Sequence, residues 1–202
     1  MMTDPLLPPD YDTLPAGFPT ERARNVRLVV LDVDGVLTDA GVYMGEDSSG
    51  NGIELKRFNI QDGLGIKLLQ SAGIEVALVS GRKSGATTRR AAELGIRECH
   101  QDNGAQKVRA IQEMLDRLGI GWDSVAMVAD DLPDLAVLRR VGFPVAVANA
   151  QPEVRHMAAW RTEAMGGHGA VREFARAILL ARGQWDRLVE EYVAQRDGGE
   201  RG

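Results

Sequence analysis

Residues Leu28–Leu31 form an unbroken apolar run that stops at two carboxylates, Asp32 and Asp34, with Gly35 immediately behind them. A strand that is apolar at every position, not at every second one, must be covered on both faces. That condition points to a parallel sheet sandwiched between helices. Ligands in such sheets bind just beyond the carboxyl ends of the strands. Asp32 then stands where the strand stops and a substrate begins. A carboxylate there can attack phosphorus as a nucleophile, with a second carboxylate two residues on as proton donor. Alone, the pattern also fits a plain strand-ending turn, because Asp and Gly both favour turns. The remainder of the chain has to decide.

Further along, apolar strand candidates at Ile74–Ser80, Ile96–Cys99, Val125–Asp130 and Pro144–Ala148 follow the first at Leu28–Asp32. Helical patterns intervene at Asp62–Ala72, Ser84–Leu94, Gly104–Leu118 and Pro133–Val141, and helix dominates the end at Gln151–Ala158 and Gly169–Tyr192. Strand–helix alternation predicts an α/β fold, a doubly wound parallel sheet of Rossmann type. At 202 residues, with 44% hydrophobic and 26% charged residues, the chain suits one soluble domain, placed at 26–195. A net charge of −5 argues against nucleic acid as a partner, since phosphate backbones select basic surfaces. No apolar run is long enough to span a bilayer, and the N-terminus lacks a signal pattern. The single cysteine, Cys99, cannot form an intrachain disulfide and is expected as a buried strand-end residue, which suits a reducing cytoplasm.

Both ends differ from the middle. Five of the eight prolines fall between Pro5 and Pro19, predicting a flexible or loosely docked arm over 1–25, with a short helical lead-in at Thr20–Asn25. Residues 196–202 are expected to fray. One segment breaks the alternation: 41–59 reads as two strands around the glycine-rich Ser48–Gly52 turn, a hairpin projecting from the core. Its apolar spacing, Ile53, Leu55 and then Phe58, is interrupted by the polar pair Lys56–Arg57. Such a hairpin cannot bury both faces alone, so it invites a lid role or a subunit contact.

Three more elements meet the opening motif at the same sheet edge. The second core strand ends Ser80-Gly81-Arg82, a hydroxyl and a backbone amide suited to gripping a phosphate oxygen. Lys107 lies early in a helix, where an ammonium could neutralise the phosphate and the nucleophile together. The fourth core strand ends in Asp130 and Asp131, with Asp134 three residues further on. Mg²⁺ takes oxygen ligands, typically one or two carboxylates plus substrate phosphate, and Asp32 with Asp130 could supply them. Each feature alone has a bland reading as a turn, a solvated lysine or a helix cap. Together, in one chain order and at one edge, they point to phosphoryl chemistry.

The order Asp-x-Asp-Gly-x-Leu-Thr, Ser-Gly-Arg, Lys and Asp-Asp-x-x-Asp resembles the haloacid dehalogenase superfamily of aspartate-nucleophile phosphohydrolases. More narrowly, Phe58–Ile66, Val145–Pro152 and Gly166–Glu173 resemble the 3-deoxy-D-manno-octulosonate 8-phosphate phosphatase family, and the likeness runs over about 25–182. The resemblance implies a Mg²⁺-dependent phosphatase of a sugar-acid monophosphate, the eight-carbon acid of lipopolysaccharide synthesis. A nine-carbon sialic-type acid 9-phosphate is the alternative substrate, and a catalytically silent binding module the alternative role. It implies Asp32 as nucleophile and Asp34 as acid and base, with Asp32, Asp130 and the main-chain carbonyl of Asp34 on the metal. Asp131 and Asp134 would orient the site. Thr38 would orient Asp34, and Ser80, Gly81, Arg82 and Lys107 would hold the phosphoryl group.

One position departs from the family pattern: Ala129 stands where glycine usually precedes the acid pair, a strain if that backbone needs positive φ. Ser80 follows Asp32 by 48 residues and Lys107 follows Ser80 by 27, intervals too short for a capping domain once the hairpin and first helix are counted. The resemblance supplies the closure otherwise, through a homotetramer whose hairpins assemble and whose tails reach a neighbour's pocket, with Arg172 meeting the anionic substrate.

Overall fold

A computed structural model describes residues 13–104 and 106–197. Six parallel strands form the sheet in the order β5-β4-β1-β6-β7-β8. They are β1 (Leu28–Leu31), β4 (Glu75–Ser80), β5 (Glu98–Gln101), β6 (Val125–Ala129), β7 (Phe143–Ala146) and β8 (Trp160–Arg161). The chain leaves β1 toward β4 and β5, then crosses back to β6, so β1 sits at the point where the winding reverses. That is where open sheets of this kind bind ligands. Every residue of β1, β6 and β7 is buried, as their uninterrupted apolar runs require.

The helices are α1 (Thr20–Asn25), α2 (Ile60–Ser71), α3 (Gly85–Leu94), α4 (Lys107–Leu118), α5 (Leu135–Leu138), α6 (Pro152–Met157), α7 (Ala170–Ala181) and α8 (Trp185–Asp197). Local chemistry sets their ends. Asn59 Oδ1 accepts the N–H of Gln61 at 2.7 Å and starts α2 two residues before the expected Asp62. Ser84 Oγ caps α3, and Gly95 ends it at φ 67°. The expected single helix over Gly169–Tyr192 is two, because Gly183 at φ 64° breaks it between α7 and α8. The third core strand is shifted two residues from Ile96–Cys99, and β8 is a two-residue strand the sequence did not signal. Cys99 is correspondingly the second residue of an edge strand, free and half-buried, not buried at a strand end.

The projecting hairpin is present as an antiparallel pair, β2 (Tyr43–Glu46) and β3 (Gly52–Leu55), separate from the main sheet. Asp47 Oδ1 closes its turn by accepting the N–H groups of Ser49 and Asn51 at 2.8 and 2.9 Å. Of the proline-rich arm, 1–12 lie outside the described residues. From Phe18 to Asn25 the segment is docked, not loose, while 13–17 lie largely exposed. Phe18 is buried, its ring 4.9 Å from Trp160 and 5.7 Å from Phe143, and Phe143 in turn meets Phe174 edge-on at 5.6 Å. Residues 198–202 of the expected frayed tail are likewise outside the described residues, and Arg196 and Asp197 complete α8. Among the described residues no helix is long and apolar enough to cross a membrane.

The aromatic cluster tethers the entering chain to β7 and α7. Phe143→Ala should therefore cost about 3–5 kcal/mol in urea unfolding, the range for a buried aromatic truncated in a close-packed core. A loss under about 1 kcal/mol would mean the cluster collapses around the gap or contributes little.

Candidate active site

Asp32 follows β1 directly, its N–H bonded to Val128 O of β6 at 3.2 Å. The chain then makes one wide turn over Val33–Leu37, closed by the N–H of Thr38 on Val33 O at 3.0 Å. Gly35 holds φ 100° at its centre, and a Cβ there would lie 2.0 Å from Asp130 Oδ2. Glycine is thus required twice, for backbone conformation and for the close approach of a carboxylate. The buried Thr38 hydroxyl donates to Val33 O at 3.2 Å and accepts the N–H of Gly35 at 3.4 Å. It pins the backbone on either side of Asp34, so any orientation it imposes on Asp34 passes through the main chain.

Three carboxylates, Asp32, Asp130 and Asp134, place oxygens within 4.8 Å of one another at this edge. Lys107, at the start of α4 and 4% exposed, sends Nζ between two of them, 2.5 Å from Asp32 Oδ1 and 2.6 Å from Asp134 Oδ1. Burial works against the lysine's charge, but Asp32 and Asp134 outweigh it and hold its ammonium above the usual pKa. The carboxyls move upward as well. Burial, then the charges of Asp32 and Asp131, raise Asp130 to about 7. Burial and Asp32 raise Asp134 to about 8, and burial raises Asp32 despite Lys107. One ammonium cannot neutralise three carboxylates, and the remaining negative charge in an all-oxygen donor set fits a hard dication such as Mg²⁺.

Asp134 joins Asp32 and Asp130 in this carboxylate grouping, whereas Asp34 is expected on the metal through its main-chain carbonyl. The Asp34 carboxylate is turned out of the cluster and accepts a bond from Lys56 Nζ at 2.7 Å, while Asp134 occupies the third corner. Asp131 is exposed and caps the turn after β6 by accepting the N–H of Leu132 at 2.7 Å. Ser80 ends β4 on the other side of Asp32. Its hydroxyl donates to Arg82 O at 3.2 Å and accepts the N–H of Arg82 at 3.1 Å, wrapping the loop around Gly81. The Arg82 guanidinium leaves this loop for the hairpin, 2.9 Å from Glu54 Oε2. Ala129 introduces no strain: it is the buried last residue of β6, paired with Ala146, and its φ is not positive.

Arg172 is not brought to the cluster. Its guanidinium lies 4.9 Å over the Trp185 ring, and its main-chain N–H is bonded to Asp62 Oδ1 at 2.8 Å. What the Gly166–Glu173 motif contributes to the site is backbone. Gly167 donates its N–H to Val36 O at 2.9 Å, and a Cβ on Gly166 would fall 1.7 Å from Gly35 O. This loop therefore backs the turn that carries Asp34, anchored by Asn149 Oδ1 on the N–H of Gly166 at 2.8 Å. Lys56, Asp62 and Asn149 were missed from the sequence. The break in hairpin alternation at Lys56–Arg57 is the available signal for the first, and the other two fall within the Phe58–Ile66 and Val145–Pro152 stretches that carry the family likeness.

The carboxyl shifts set a pH dependence. A carboxyl with a higher pKa folded than unfolded binds its proton more tightly in the folded state. The metal-free protein should therefore lose stability as pH rises from about 4 through the values near 7 and 8 of Asp130 and Asp134. The raised Lys107 adds a loss of the same sign only in the alkaline range, above this window. Asp130→Asn should raise Tm at pH 8.5 by about 2–4 °C and leave it nearly unchanged at pH 5, measured by calorimetry after chelation. An unchanged or lower Tm at pH 8.5 would show that Asp130 is not under repulsion.

Comparison with known proteins agrees with this fold. A family profile of haloacid dehalogenase-like hydrolases matches residues 100–173. The 3-deoxy-D-manno-octulosonate 8-phosphate phosphatase KdsC of Escherichia coli K12 is 45% identical over 165 residues, 82% of this chain and 85% of its own. The crystal structure of the Yersinia pestis phosphatase superposes with a TM-score of 0.78 at 41% identity, covering 83% of this chain and 88% of that one. The Moraxella catarrhalis enzyme, crystallised with magnesium, phosphate and KDO, gives 0.79 at 36% identity, covering 86% and 97%. Shared sequence over most of both chains, on the same fold, makes this protein a member of the 3-deoxy-D-manno-octulosonate 8-phosphate phosphatase family of haloacid dehalogenase-like hydrolases.

Proposed function

We propose that the protein hydrolyses 3-deoxy-D-manno-octulosonate 8-phosphate to the free sugar acid and phosphate, through an aspartyl phosphate on Asp32. The observation that carries this reading is the Lys107 contact. It holds one oxygen of a carboxylate at the edge of the central strand, at 2.5 Å, and leaves the other to attack phosphorus. The relatives named for this substrate match along most of their length, which favours the eight-carbon acid over a nine-carbon one.

Asp32 forms the P–O bond as the ester oxygen leaves with a proton from Asp34. Asp34 then takes a proton from the water that hydrolyses the acyl phosphate. Lys107 neutralises charge on the nucleophile and the phosphoryl group, and the Ser80 hydroxyl with the Gly81 amide grips a phosphate oxygen. Asp134 keeps Lys107 in place from the far side. Asp32, Asp130 and the Asp34 carbonyl are the residues to hold Mg²⁺, as the uncompensated carboxylate charge favours. When bound, the ion would shield the phosphoryl oxygens and orient the ester against Asp32.

Steady-state phosphate release from the eight- and nine-carbon substrates, with Mg²⁺ and with EDTA, tests the reading. Asp32→Asn should lower kcat by about 10³-fold or more with the fold intact, as loss of a nucleophile does. Turnover within tenfold of the parent would sink the aspartyl-phosphate mechanism.

The enzyme works as a cytoplasmic homotetramer in this reading, with copies meeting through their hairpins. In support, Tyr43 is 62% exposed and its cross-strand partner Leu55 60%, with Met44 83% exposed on the opposite face, so the single chain leaves apolar surface on both sides of the hairpin to water. Arg172, which packs on Trp185 within its own chain, is the tail residue that would meet the anionic substrate at a neighbour's pocket in this assembly. Light scattering should find tetramers for the parent and smaller species for a Met44→Glu/Leu55→Glu double variant. A monomeric, fully active parent would refute the assembly.

A further inference from the structure

Lys56 is the first residue after β3, on the limb by which the hairpin returns to the core. Its neighbours face water: Leu55 is 60% exposed and the Arg57 side chain 49%. The Lys56 side chain is nonetheless 0% exposed. A lysine ordinarily keeps its ammonium in water, so burial demands an anionic partner. That partner is Asp34, at 2.7 Å, with Glu54 Oε1 further off at 3.9 Å.

The limb is seated by its next two residues. Arg57 Nη1 bonds Gly167 O at 3.1 Å and lies 3.6 Å from Asp39 Oδ2, and Phe58 forms an isolated antiparallel bridge with Thr38. Three consecutive hairpin residues thus meet Asp34, Asp39 and Thr38 in the segment after β1. Glu54, through Arg82, ties the same hairpin to the loop carrying Ser80.

We propose that Lys56 is a positioning residue for Asp34, by which the hairpin places the proton donor of the phosphatase. The inference rests on the reading of Asp34 as acid and base. Lys56 fixes one carboxylate oxygen and leaves the other for the leaving group, and it reaches Asp34 only while the hairpin is seated. A pair with one side chain fully buried and the other 22% exposed escapes most of the screening that makes surface pairs weak. The site's acid is consequently held from an element that leaves apolar surface to water.

The test is single-turnover phosphoryl transfer from 3-deoxy-D-manno-octulosonate 8-phosphate and from p-nitrophenyl phosphate, whose leaving group departs without a proton. Lys56→Met should slow transfer from the sugar phosphate by about tenfold or more and from the aryl ester by less than about threefold, since only the first needs a placed acid. Lys56→Arg, still cationic, should recover most of the loss. In an Asp34→Asn background Lys56→Met should cost nothing further with either ester. Equal slowing of both esters, an additive loss in the double variant, or no loss at all would overturn the proposal. Parent-like transfer from the sugar phosphate by Asp34→Asn would instead remove the reading of Asp34 itself. Thermal unfolding and light scattering of Lys56→Met and Lys56→Arg, with at least one matching the parent, separate misplacement of the acid from loss of fold or assembly.

Discussion

Everything at the sheet edge turns on one buried ammonium. Lys107 Nζ touches Asp32 from β1 and Asp134 from the turn after β6, and so joins the start of α4 to two separate loops. The strand register makes such a cation necessary. Leu31 pairs with Val128, so the residues just past β1 and β6 emerge side by side, and both segments carry carboxylates. Like charges at that spacing raise one another's pKa and oppose folding in the ionised state. Removing one partner of a buried pair typically costs about 3–5 kcal/mol, because the other charge is left stranded. The lysine offsets part of the repulsion, and the remainder is the attraction available to a dication.

Backbone contact is the second constraint. The turn carrying Asp34 is pressed from one side by the Asp130 carboxylate against Gly35 and from the other by Gly166 and Gly167. The second contact is held from a distance. Asp62, buried in α2, accepts the N–H groups of Gly169 and Arg172 and so caps α7, which fixes where the Gly166–Gly169 loop can lie. The motif that carried the family likeness near the C-terminus thus has a structural reason that does not involve the arginine's charge. Its glycines let two backbones touch, and its arginine contributes a main-chain donor.

Much of the site is legible in the sequence. Asp32, Ser80, Lys107 and Asp130 each follow or open an element whose apolar pattern is strong, so their arrival at one edge follows from the α/β alternation. The parallel order and the hairpin were legible for the same reason. The two-residue β8, the break at Gly183 and the docking of Phe18 were not. β8 is too short for a periodic signal, Gly183 interrupts two adjoining helical patterns without a proline, and Phe18 is an isolated aromatic in a proline-rich stretch. Its burial depends on Phe143 and Trp160, more than a hundred residues away.

The division between the two levels follows the range of the interaction. Period, capping and turn chemistry act over a few residues, so the sequence alone determined most of the strands and helices and that carboxylates would gather at the carboxyl edge of a parallel sheet. Which side chains then pair is a matter of angstroms between segments far apart in the chain. Only the tertiary structure decided that Asp134 and not Asp34 joins the carboxylate cluster, that Arg172 stacks on Trp185, and that a lysine from the hairpin holds Asp34. Ion pairs and close backbone contacts depend steeply on distance, and no local pattern encodes the distance between β1 and the end of β3.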